Sequence, residues 1–160
     1  MLDWLKPKST RQERDLARRA QMRLATRVSF ADSPRQDPDS LVGEAVYESE
    51  VVIEALMELV SGTAPRRPLQ QAAADALTAM SPLVALRPSW IAYCNRRFGL
   101  DPEVTDAQSE MCRLWVDSGT ARSWPDFERA RSTVIVAREE IAKLQTALAE
   151  FTSSDVTALA

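Results

Sequence analysis

The sequence predicts an all-α protein, an irregular bundle of about six helices with one long C-terminal helix over residues 124–151. Three observations predict it. Phe127, Ala130, Val134, Ala137, Ile141, Leu144, Leu148 and Phe151 follow one another at steps of three or four, the a/d pattern of one helix with one narrow apolar seam. Glycines 62, 99 and 119 fall where helices are expected to stop, and prolines 38, 102 and 125 where they are expected to start. No run alternates polar and apolar residues long enough for a strand, and the β-branched Val51-Val52-Ile53 sits inside a helical period. The C-terminal helix is about 40 Å long at ~1.5 Å per residue. It cannot keep its seam dry alone, so other helices must cover it.

In chain order, residues 1–9 are expected to be a flexible lead whose Leu2, Trp4 and Leu5 fold back on the domain and are too few for a secretory leader. From Thr10 to about Val28 a helix carries Leu16, Ala17, Ala20, Leu24 and Val28 on one face. Its other faces carry Arg11, Arg14, Arg18, Arg19, Arg23 and Arg27. Ser33-Pro34 is turn chemistry. Asp37 is the expected N-cap, with Pro38 in the first turn, of a helix that runs to about Val60 and stops before Gly62. That helix buries Val42, Val46, Ile53, Leu56 and Leu59 and carries Glu44, Glu48, Glu50, Glu54 and Glu58.

After a linker over 63–68, Leu69, Ala72, Ala73, Ala76, Leu77 and Met80 form a face of small and apolar residues suited to close helix approach. Ser81-Pro82 is expected to end or kink it. A short helix after Pro88 then places Trp90, Ile91, Cys94 and Phe98 on its core side and closes at Gly99. Asp101-Pro102 opens the next, with Ala107, Met111, Leu114 and Trp115 as its apolar stripe and Gly119 as its end. Ser123 and Asp126 resemble a capping box ahead of the heptad helix. Residues 152–160 are expected to be a flexible, frayed tail.

A length of 160 residues fits a single domain able to bury about two thirds of its unfolded surface without staples. The net charge of −3 gives no global attraction to nucleic acid or anionic membrane. Charge is instead segregated: residues 1–30 carry eight basic and three acidic side chains, and residues 31–60 carry eight acids and one Arg. Seventeen of the twenty basic residues are Arg, which a GC-rich genome explains. Cys94 and Cys112 form no CxxC pair and read as small apolar residues in a reducing compartment. No segment reaches the ~20 apolar residues of a membrane span, so the cytoplasm, of a bacterium or an infected host cell, is expected.

The chain has no histidine. That removes Ser-His and Cys-His nucleophilic pairs and His-ligated zinc or iron. Four scattered glycines cannot build a phosphate-cradling loop. Neither cofactor nor metal is therefore expected. The remaining enzymatic route is a Mg²⁺-dependent carboxylate enzyme using Glu50, Glu54 and Glu58, spaced i, i+4, i+8; a stripe of this kind is more often a solvated or salt-bridging face.

The function expected is therefore non-enzymatic: a helical protein–protein interaction module, an assembly, adaptor or inhibitor component of bacterial or phage origin. Its partner is another protein whose identity the sequence does not name. Trp90, Tyr93, Arg96 and Arg97 are the candidate partner-binding residues, because Trp, Tyr and Arg dominate interface hot spots. The alternative is a nucleic-acid-binding accessory protein that uses Arg11, Arg14, Arg18, Arg19, Arg23 and Arg27. Against it stands antiparallel pairing of this basic helix with the acidic helix that follows. The heptad seam has two uses, an intramolecular bundle or a homodimer. The poor charge ladder at Arg131, Thr133, Arg138, Glu140, Gln145 and Ala147 favours the first.

Overall fold

A computed structural model describes residues 11–27, 37–104 and 106–159, without the side chains of residues 26, 27 and 154–159. The expected lead with Trp4, the Ser33-Pro34 turn, Val28 and the Arg27 side chain lie outside the described residues. Seven helices and no strand are found among those described: α1 (Arg11–Arg27), α2 (Pro38–Tyr47), α3 (Ser49–Gly62), α4 (Pro68–Phe98), α5 (Ala107–Leu114), α6 (Ser118–Ala121) and α7 (Phe127–Leu159). The all-α bundle with a long C-terminal helix is what forms.

The heptad stripe of α7 is the axis of the core. Phe127, Ala130, Val134, Ala137, Ile141, Leu144 and Leu148 are all buried, roofed chiefly by α4 and then by α1 and α2. Phe151, at the end of the seam, is half-buried with the Arg67 guanidinium 5.7 Å from its ring centre. The seam is thus covered by the protein's own chain. Two boundaries differ from expectation. The helix starts at Phe127, because the Asp126 carboxylate accepts from the Ser89 hydroxyl (2.8 Å) instead of closing a capping box with Ser123. It also continues through the tail to Leu159.

Ser81-Pro82 does not end α4, and one helix of 31 residues runs through both Pro82 and Pro88. Each internal proline costs about 3 kcal/mol. Opposing this, Leu69, Met80, Leu83, Leu86 and Trp90 are all buried along one continuous stripe, and full burial of such a side chain contributes about 1.5–3 kcal/mol. Both prolines lie on the exposed side, where water can satisfy the carbonyls they leave free. Gly99 caps the helix in the left-handed conformation (φ 63°, ψ 33°), as its sequence position predicts.

The acidic segment departs in the opposite sense, since it breaks into two helices at Glu48. The buried Ser49 hydroxyl donates to Val46 O (2.6 Å), a local bond that competes with helical pairing and bends the chain. The break lets α2 pack against α4, α6 and α7 while α3 packs against α1 and α4. Asp37 caps α2 as expected, accepting from Asp39 N. Asp39 then ties α2 to distant chain, accepting from Arg131 and from Arg122 (Nη2, 2.6 Å).

The expected pairing of α1 with the acidic helix forms at one end. Arg23 lies 3.1 Å from the Glu58 carboxylate and 4.0 Å from Glu54. At the other end Leu16 meets Gly62, where a Cβ would sit 2.2 Å from Leu16 Cδ2. Residue numbers rise along α1 as they fall along α3, so the two are antiparallel. Gly62 is the last residue of α3 and serves this close approach. The first turn of α1 is pinned by buried Glu13, which accepts from Ala64 N (2.9 Å) and from Arg67 Nε (2.8 Å).

Candidate interaction surfaces

The aromatic end of α4 turns the rings of Trp90 and Tyr93 inward. Trp90 is fully buried, and its Nε1 donates to Arg113 O (2.9 Å). Its ring lies 5.1 Å from that of Trp124 and 5.9 Å from that of Tyr93. Tyr93 is also buried, its hydroxyl donating to Thr120 O (2.6 Å). The two rings therefore belong to the core. Of the four residues expected to bind a partner, only Arg96 and Arg97 reach the surface. Phe98, expected in the core, is 42% exposed beside them.

Helix α5 carries the sharpest reversal. Asp101-Pro102 does not open it. Asp101 turns back to accept from Glu103 N (3.0 Å), and Asp106 is the true N-cap, accepting from Ser109 N (2.7 Å). Hydrogen bonds from the Ser109 amide and then its hydroxyl hold the Asp106 carboxyl below the usual carboxylate range. Gly119 does not end this helix either. It lies inside the single turn of α6, which Asp117 caps by accepting from Thr120 N (2.9 Å).

The face that α5 turns inward is polar. Ser109 and Arg113 are its buried residues. Arg113 Nε donates to Asn95 Oδ1 (2.9 Å), fastening α5 to the last turns of α4, and its Nη1 donates to the Glu110 carboxylate (3.1 Å) within α5. Of the expected apolar stripe, Met111 and Trp115, four residues apart, are each 60% exposed, while Leu114 is half-buried. Sequence periodicity finds this stripe without saying which way it faces. The missing signal is Arg113, whose guanidinium takes the inward position once Asn95 offers a buried acceptor.

The carboxylate stripe borders a groove of about 630 Å³ whose apolar lining includes Ile53, Met57, Val60 and Leu77. Its acids do not converge. Glu54 and Glu58 face Arg23, and Glu50 lies 3.4 Å from Arg87 Nη1. Among the described residues no group of three or more acidic or thiol side chains is placed to hold a metal ion.

On the basic helix, Arg23 is occupied by Glu54 and Glu58, while Arg11, Arg18 and Arg19 are exposed and Arg14 is half-exposed. Arg18 lies 3.9 Å from Asp15 on its own helix. Among the described arginine side chains of α1, Arg23 is thus set apart by its acidic partners on α3. Cys94 is buried and Cys112 half-buried, and both are free thiols. Burial pushes the Cys94 thiol up to about 12, so it stays protonated and packs as a small apolar group.

No helix among the described residues is long and apolar enough to cross a membrane. Compared with protein-family models, curated proteins and solved structures, the chain matches none.

Proposed function

We propose that this protein works by binding another protein, as a non-enzymatic helical interaction module. The observation that carries the proposal is the outward apolar face of α5. Trp90 and Trp124 are core residues, yet Trp115 stands with most of its surface in water, one helical turn from an equally exposed Met111. Two large apolar side chains so placed forgo burial that would contribute about 1.5–3 kcal/mol each. A partner surface that covers them recovers that term. Trp is a leading hot-spot residue, and Met adapts to irregular surfaces. Arg96, Arg97 and Phe98 lie on the last turns of α4, to which Arg113 fastens α5, and would form the polar and aromatic edge of the contact.

The test is co-purification from the source cell with wild type and with a Met111→Glu/Trp115→Glu double variant. A partner held by wild type and lost by the variant supports the proposal. Repeated recovery of wild type alone contradicts it.

A second reading has its own support in the exposed Arg11, Arg18 and Arg19 and half-exposed Arg14. They suit phosphate contacts by a nucleic-acid-binding accessory protein. Four such contacts would give a log K against log salt slope of roughly −4 on a labelled duplex. Absence of binding at low salt removes this reading and leaves the first untouched.

A further inference from the structure

A second open groove, of about 490 Å³, lies along the C-terminal half of α4. Pro88, Ile91 and Pro102 supply apolar wall, and Arg87, Asn95 and Arg96 supply its polar groups. No acidic side chain lines it. The size falls within the range of pockets for small organic ligands, about 300–1,000 Å³.

The polar groups differ in what they have left to offer. Arg87 is already engaged: its Nε donates to Tyr47 O (2.9 Å), its Nη1 faces Glu50, and its guanidinium lies over the Tyr47 ring at 5.1 Å. Arg96 is exposed and makes no ion pair among the described residues. Asn95 is only 8% exposed, and its Oδ1 accepts from Arg113 Nε. A guanidinium N–H can only donate, so this bond fixes which end of the amide is oxygen. The other end, Nδ2, then carries two N–H groups for which no described residue supplies an acceptor. Folded proteins leave few buried donors unanswered. The proline walls have no N–H of their own to compete.

From this set we infer that the pocket binds an apolar monocarboxylate. The carboxylate accepts from Asn95 Nδ2 and pairs with Arg96, and the apolar body rests between Pro88, Ile91 and Pro102. One amide and one uncommitted guanidinium suit a two-oxygen monoanion better than a phosphate dianion. A free organic acid and the terminal carboxylate of a peptide share this chemistry. The inference does not depend on the α5 face.

Titration calorimetry of the full chain tests it, with octanoate, octanamide, and an N-acetylated dipeptide of apolar residues as its free acid and as its amide. At least one acid is expected to bind at least about tenfold more tightly than its amide, since bonds to an ionised acceptor are the strong ones. Whichever acid is tighter identifies the source. Asn95→Asp keeps an oxygen for Arg113 but replaces the donor by an anion, and Arg96→Gln alters an exposed position. Each is expected to keep the wild-type circular dichroism and to lose about tenfold or more in affinity. Failure of both acids to bind at millimolar concentration, equal binding of acid and amide, or wild-type affinity in both variants would overturn the assignment.

Discussion

The six-membered ring of Trp90 packs against Gly43: a Cβ on that glycine would sit 2.8 Å from Trp90 Cζ2. The contact sets how closely α2 approaches α4. The indole cannot slide away, because Nε1 is bonded to Arg113 O and the rings of Tyr93 and Trp124 stand beside it. Gly43→Ala is therefore expected to destabilise the fold by about 1–3 kcal/mol through overpacking, although alanine favours helix. Urea denaturation with tryptophan fluorescence measures it. A variant as stable as wild type would show that the ring has room to move.

Asp39 makes acid stability a second test. Hydrogen bonds from Arg131 and then Arg122 hold its carboxyl below the ordinary value of 3.8. A depressed carboxyl contributes stability that is complete above its unfolded value and is lost as pH falls through its folded value. Asp39→Asn should thus be less stable than wild type at neutral pH, on the order of 1 kcal/mol for partly exposed pairs. The gap should begin to close near pH 3.8 and vanish at lower pH. A gap that persists unchanged down to pH 2 would contradict the assignment.

The thiols offer a third. With Cys94 buried and its thiol pushed up to about 12, a thiolate-seeking reagent at pH 8 should modify Cys112 first. Cys94 should react only at the rate of unfolding. Two fast equivalents in the native protein would be the contrary result.

What the sequence made legible follows from which forces are local. The seam of α7 could be read because every a and d position is apolar and nothing interrupts the phase. The continuity of α4 was also written in the chain: Leu69, Ala73, Ala76, Met80, Leu83 and Trp90 keep one helical phase across Pro82. Proline chemistry alone suggested a break. Counting phase through the proline would have favoured the single helix. The break at Glu48 carries no glycine or proline; the Ser49 hydroxyl bends the chain there, and the separate packing of α2 on α7 and of α3 on α1 exploits the bend. The two Asp-Pro pairs show the limit of cap signals. Asp37 bonds the amide of Asp39 at the start of α2, whereas Asp101 bonds that of Glu103 in a turn and leaves the cap to Asp106.

Among the candidate sites, the arginines at 96 and 97 were legible as surface, but Trp90 and Tyr93 were not separable from core by residue type. The apolar stripe of α5 is legible in the sequence, but its direction is not. Periodicity marks a face without saying which way it points, and the deciding bond, Arg113 to Asn95, spans two helices.

The proposed function places the partner on the outward face of α5. The most direct measurement is partner recovery with Met111→Glu/Trp115→Glu against wild type, after urea denaturation shows equal stability, as expected for exposed positions. The account predicts a partner recovered with wild type and reduced at least about tenfold with the variant, the scale of losing hot-spot contacts. Equal recovery with both proteins would contradict it.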